Sequence, residues 1–296
     1  MGIIKEIKHT WQEGRLLPVL GAGLSVDSNL PTWEGLIKNL LNYLLHNDKL
    51  PELQEYTSKS DFENNFLERI SKLNPIISAR FIKTIMPNPE EFSHAVYYAL
   101  YYDIISEPIP SATVDSLTLL STHSKKYLTY NFDNVLELAF QKKKIETQSI
   151  FNQHQDISPE KIKIYHPHGY LPYGDEIVWL EHYQNNDIVF SEDDYHNQYN
   201  EPFSWGNTIQ LNCLYEYSAL YIGLSVNDPN LRRIIEIANK QSPKNHYIFL
   251  LEEDDLEYSE TWLKIEERIF NELGLKVLWI DDYGEIKSII QEIVAN

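Results

Sequence analysis

The chain has 296 residues, with 25 lysines and arginines against 44 aspartates and glutamates, a formal net charge of −19. That field repels phosphate, which argues against direct nucleic-acid binding and against an anionic membrane surface. Cys213 is the only cysteine, so neither an intrachain disulfide nor a cysteine-based zinc site can form.

Length and composition fit a large α/β domain able to bury a sizeable core. No apolar run is long enough to span a bilayer, and Met1-Gly2-Ile3-Ile4-Lys5-Glu6 lacks the apolar core of a secretory signal, so a cytoplasmic protein is expected. Residues 2–13 place Ile3, Ile4, Ile7 and Trp11 at helical spacing. An apolar run of strand length, Leu16–Leu20, then goes straight into Gly21-Ala22-Gly23-Leu24-Ser25. Without Cβ atoms such a turn lets backbone N–H groups approach a phosphate, but a third glycine is missing, Val26 standing in its place. A tight strand-to-helix turn with no ligand is the competing reading. Thr32 is an N-cap candidate for a helix carrying Trp33, Leu36, Ile37, Leu40, Leu41, Leu44 and Leu45.

Asn47 to Asp61 is polar and reads as a loop, and from Phe62 to Thr122 only helical patterns occur, separated by Pro75, Pro87, Pro89, Pro108 and Pro110. This predicts a helical module, about residues 36–122, inserted between the first and second strands of one domain spanning 1–296. Strand character returns at Lys126–Thr129, followed by Tyr130-Asn131-Phe132-Asp133 and a helix from Val135. Short strands are expected near Thr147–Phe151 and Ile162–Tyr165, the second ending in His166-Pro167-His168-Gly169. Residues 171–202 read as an elaborated loop with apolar pieces at Ile177–Trp179 and Ile188–Phe190, and Ser191 followed by acids as a helix start. Then helices and strands alternate: a helix near 203–214, a strand Ala219–Ile222 running into Gly223-Leu224-Ser225-Val226-Asn227-Asp228, a helix 230–240, a strand His246–Leu251, an acidic loop Glu252–Asp255, a helix 258–272, a strand Leu275–Ile280 and a helix 284–294. The pattern is that of an α/β fold, a Rossmann-like doubly wound parallel sheet with ligands at the carboxyl ends of its strands.

Four unusual segments each follow a predicted strand. Gly21–Ser25, Thr129–Asp133, His168-Gly169 and Gly223–Ser225 resemble, in order, the NAD-binding signatures of the sirtuin superfamily. Val189–Tyr195 and Ile222–Leu231 resemble more closely the bacterial sirtuin-like NADase domain of anti-phage defence systems. The resemblance departs from deacetylase sirtuins in two places: the paired zinc cysteines are missing, and Pro31-Thr32-Trp33-Glu34 replaces a Pro-Asp-Phe-Arg segment.

The resemblance implies that Gly21, Ala22, Gly23 and Ser25 surround the diphosphate and adjoining ribose of NAD⁺, the glycine backbone supplying N–H donors. It implies that Gly223 and Ser225 close the adenosine side, that Asp133 holds the nicotinamide carboxamide, and that Asn131 and His168 are catalytic. His166 is the alternative to His168 if that loop is slipped in register, and Asn131 and Asp133 also suit simple caps of the following helix. Tyr195 and Trp33 suit either ring stacking or core packing. The implied activity is hydrolysis of NAD⁺ to nicotinamide and ADP-ribose, depleting the cofactor in defence, with NAD⁺ as substrate and no metal. A homo-oligomer or an activating partner, such as a co-encoded ATPase or translocase, is expected to restrain it. An NAD-dependent protein deacylase and a non-catalytic module sensing NAD⁺ or ADP-ribose are the rival readings.

Overall fold

In the computed structural model the described residues are 2–47, 49, 65, 68–70, 73–104, 106–174, 188–252 and 259–295. The expected apolar piece Ile177–Trp179 and most of the loops 47–61 and 252–255 lie outside them. A parallel sheet of seven strands, in the order β3-β4-β2-β1-β5-β6-β7, organises the molecule. Its strands are β1 (Leu16–Leu20), β2 (Lys126–Thr129), β3 (Thr147–Ile150), β4 (Ile162–Tyr165), β5 (Ser218–Ile222), β6 (His246–Leu251) and β7 (Leu275–Ile280).

Strand β1 is buried along its whole length, as a strand covered on both faces must be. Leu16 and Leu20 point into one core, Leu17 and Val19 into the other, the period-two alternation of a strand. The first core is covered by α1 (Ile3–Gln12), α5 (Ala112–Leu117), α6 (Val135–Lys142) and α11 (Glu285–Val294). The second is covered by α8 (Trp205–Glu216), α9 (Pro229–Gln241) and α10 (Ser259–Glu272). Pro18 sits in a central strand, where a missing N–H is normally excluded. The Leu20 carbonyl accepts from Tyr130 N, so even-numbered β1 residues face β2, yet pairing with β2 starts only at Val19. The missing N–H therefore falls below the paired stretch, and the Ser124 hydroxyl covers the Leu16 carbonyl there at 2.8 Å.

Between β1 and β2 the described residues form α2 (Trp33–His46), α3 (Pro75–Ile85), α4 (Pro89–Leu100) and α5, with no strand among them. Thr32 caps α2 by accepting from Gly35 N. Pro89 opens α4 instead of merely ending what precedes it, its fixed φ suiting the first helical turn and Asn88 capping from outside. α2 packs on α4, burying Leu36, Leu40 and Leu44 against Phe92, Val96 and Ala99. α3 is latched to α7 (Glu192–Asn200) by ion pairs Arg80–Glu192 and Lys83–Asp194. The start of α7 has the expected capping box at Ser191 and Asp194.

The chain runs from β1 outward to β2, β3 and β4, then returns to the other side of β1 as β5. That reversal is a topological switch point, where a crevice opens beyond the strand ends. Strands β4, β2, β1 and β5 are consecutive neighbours, so the four singled-out segments stand side by side on one rim.

Candidate active site at the switch point

The loops after β1 and β5 meet glycine to glycine. Gly21 N donates to the Ile222 carbonyl at 3.0 Å and Gly23 N to the Gly223 carbonyl at 3.1 Å. A Cβ on Gly21 would lie 2.5 Å from the Gly223 oxygen, and one on Gly223 would lie 2.6 Å from Leu24 N. Gly223 also holds φ +68°, which an L side chain adopts only with strain. These glycines therefore serve close approach of two backbones. The reading that Gly21 and Gly23 offer free N–H donors to a diphosphate needs correction for this conformation, since both groups are bonded across to the β5 loop. Val226, a β-branched residue at φ +52°, marks the same loop as conformationally strained.

The segment after β2 supplies the densest polar cluster. Asn131 Nδ2 donates to the Gly21 carbonyl at 3.1 Å and to Ser25 Oγ at 3.0 Å. Ser25 Oγ in turn donates to Asp133 Oδ2 at 3.0 Å, and Asp133 Oδ1 accepts from Val135 N at 3.0 Å. Asp133 thus takes the first N–H of α6 from the position before its N-cap, Asn134, while also closing a chain of side chains across two loops; Asn131 makes no bond to that helix. Both Asn131 amide hydrogens have acceptors, which fixes the flip of the amide and leaves Oδ1 as a buried acceptor without a partner among the described residues. Burial pushes the Asp133 carboxyl up to about 6, against the opposing hydrogen bonds from Val135 and Ser25.

His168 follows β4, and Gly169 behind it takes φ +105°, turning the chain away. Its ring meets Tyr130 edge-on at 4.7 Å and Tyr195 at 5.7 Å. Burial lowers its pKa below the ordinary histidine value, with Asp228 and Asp194 opposing, so the imidazole is neutral at pH 7. Asp228 caps α9 by accepting from Asn230 and Leu231 N–H.

Asn131, Asp133, His168, Ala22, Ser25 and Ser225 line one cavity of about 160 Å³. Gly21, Gly23 and Gly223 stand outside it, packed on one another. Trp33 and Tyr195 both form its walls, Trp33 also packing on Phe190 at 4.7 Å. Ser225, expected on the adenosine side, here shares the cavity with His168. Among the described residues two carboxylates, Asp133 and Asp228, line this space and no lysine or arginine does. The walls thus suit a cation or a centre that becomes positive.

His166 does not enter the cavity. It is fully buried, its ring nitrogens lying 3.1 Å from the Asn131 carbonyl and 2.9 Å from Glu137 Oε1. That placement removes it as the alternative to His168. Sequence reasoning did not find Glu137, which reads as a polar helix position, or Tyr130, held by Gln210 at 2.6 Å. The one available signal for Glu137 is its spacing, a helical turn after Asp133.

A profile of the SIR2-like domain matches residues 125–277, just over half of the chain. An NAD(+) hydrolase ThsA from Acinetobacter baumannii (strain 532279) is 24% identical over 315 aligned positions, covering 99% of this chain and 55% of that protein. An NAD(+) hydrolase ThsA from Enterococcus faecium is 20% identical, covering 98% and 57%. The chain thus spans about half the length of these curated relatives. Solved structures it is similar to include a Sir2 homolog–NAD complex (TM-score 0.48, 11% identity, 99% of this chain and 94% of that one) and Sir2Tm bound to a propionylated peptide (TM-score 0.47, 14% identity, 98% of each). The profile takes in Asn131, Asp133, His168, Gly223 and Ser225, and the Gly21–Ser25 turn that precedes it docks onto Asn131, Asp133 and Gly223: the chain belongs to the SIR2-like domain family.

Proposed function

We propose that the chain hydrolyses the N-glycosidic bond of NAD⁺, releasing nicotinamide and ADP-ribose. The observation that carries this is the convergence of Asn131, Asp133 and His168 on one cavity whose charged side chains, among the described residues, are acidic. Nicotinamide joined to ribose is cationic and leaves with the bonding electron pair, so the ribose C1′ passes through an oxocarbenium-like state. Orientation and negative surroundings serve that step better than strong acid catalysis. Asn131 Oδ1 accepts a hydrogen bond from a ribose hydroxyl or from the attacking water. Neutral His168 takes the proton as water oxygen bonds to C1′. Asp133 binds the carboxamide of the leaving group.

The two NAD(+) hydrolases aligned over nearly the whole chain support the same chemistry. Because the chain covers about half of each, control of the reaction, by self-association or by an activating partner such as an ATPase or translocase, belongs to this proposal too, as do the cytoplasmic setting and the role in anti-phage defence. No helix among the described residues is long and apolar enough to cross a membrane. The experiment is incubation with NAD⁺, with and without an acetyl-lysine peptide, and separation of the products. Free ADP-ribose independent of peptide supports hydrolysis. Peptide-dependent O-acetyl-ADP-ribose would replace this reading with a deacylase.

A further inference from the structure

Behind the Asn131 loop lies a buried pair, His166 and Glu137, that the scheme above does not use. Both ring nitrogens of His166 face oxygen atoms. The Asn131 carbonyl can only accept, so Nδ1 carries a hydrogen. Glu137 Oε1 already receives the Ser149 hydroxyl at 2.6 Å, and a further proton lies between it and Nε2. The ring packs at a tilt against Tyr170, 4.3 Å between centroids, and the His166 backbone N–H is bound to the Ile150 carbonyl. Asn131 is thereby gripped on both sides of its Cα: Thr129 Oγ1 takes its N–H at 3.1 Å, and His166 donates to its carbonyl. Without that donor the carbonyl is left buried and unpartnered, and the loop must shift to find another.

We propose that His166 is a positioning residue: its Nδ1–H holds the Asn131 carbonyl so that the Asn131 amide stays aligned with His168, and Glu137 holds the ring in the orientation that makes this contact. The inference rests on the role given to Asn131 above. The competing role for the same pair is core packing alone, in which the ring serves only to accompany a buried carboxylate.

Two substitutions separate them, because an asparagine side-chain nitrogen lies as many bonds from Cα as Nδ1 does, and a glutamine nitrogen as many as Nε2. His166→Asn keeps the donor to Asn131 and loses Glu137, whereas His166→Gln keeps Glu137 and loses Asn131. On NAD⁺ the expected result is kcat near wild type for His166→Asn and lower by about 10–100-fold for His166→Gln, with KM changed little. Glu137→Leu, which takes away the group that orients the ring without removing the ring, is expected to lower kcat in the same way. The side-chain amide resonances of Asn131, followed by NMR without substrate, should move in His166→Gln and stay in His166→Asn. This arm reads the positioning even if the wild-type chain releases no nicotinamide, so the two proposals fail separately. Better retention of kcat, or of the Asn131 resonance positions, by His166→Gln than by His166→Asn would overturn the inference. So would unchanged kcat and resonances in all three variants.

Discussion

The hydroxyl of Ser25 donates to the carboxylate of Asp133 at 3.0 Å, joining residues 108 apart in sequence. This one bond ties the loop after β1 to the loop after β2 and places a carboxylate with a raised pKa on the cavity wall. The serine of the glycine turn is therefore a structural partner of the acid as well as a ligand candidate.

Asp133 costs the fold stability at neutral pH. A carboxyl whose pKa rises from 3.8 unfolded to about 6 folded contributes fully below 3.8 and loses that contribution as pH rises to about 6. Above that the difference amounts to about 3 kcal/mol. Asp133→Asn should therefore be more stable than wild type at pH 7.5, with the gap in Tm shrinking toward pH 4 as the wild-type carboxyl becomes neutral. Thermal melts of both proteins across that range check it. Activity should fall in the same variant, since the amide offers one uncharged acceptor oxygen where the carboxylate offers two.

His168 works in its neutral form, and burial keeps its pKa below 6.5. The acid limb of kcat/KM for NAD⁺ should accordingly lie below pH 6.5, with the rate flat from there to pH 8. A limb centred above 7 would show that another group acts as the base.

Gly223→Ala places a Cβ 2.6 Å from Leu24 N at a φ of +68°. The left-handed conformation alone costs about 1–2 kcal/mol, and the backbone clash adds to it. Tm should fall by several degrees, with weaker NAD⁺ binding by calorimetry because the paired loops separate. A variant as stable as wild type would contradict the glycine-to-glycine contact.

Diphosphate binding by the glycine N–H groups of the Gly21–Ser25 turn requires them to exchange partners, since Gly21 N is bonded to the Ile222 carbonyl and Gly23 N to the Gly223 carbonyl. Saturating ADP-ribose should change amide hydrogen exchange in residues 21–25 and 223–228 together, while β1 and β5 themselves stay protected. Ligand protection confined to one loop would mean that the two do not open as a unit.

Much of this molecule was legible in the sequence. Leu16–Leu20, Ile162–Tyr165, His246–Leu251 and Leu275–Ile280 are mostly apolar runs, interrupted by Lys163, His246 and Lys276, and a parallel sheet buried on both faces demands such runs. The convergence of Asn131 and His168 followed from the rule that such a sheet gathers its strand ends on one rim. What could not be read were pairings between distant loops. His166 and His168 are two residues apart in one loop, and only burial against Glu137 and the Asn131 carbonyl tells the structural ring from the cavity ring. Likewise, a Gly-x-Gly turn signals that something approaches the backbone closely. The sequence did not say that in this conformation it is Gly223.

The most direct test of the central claim is nicotinamide release from NAD⁺ by the wild-type chain, Asn131→Ala and His168→Ala, alone and as self-associated protein at high concentration, with thermal shift by ADP-ribose as the binding control. Release by wild type, lost by at least about 100-fold in each variant while ADP-ribose still stabilises it, is the predicted result. Release that survives both substitutions, or binding without release by a wild-type chain under every condition, would contradict the account.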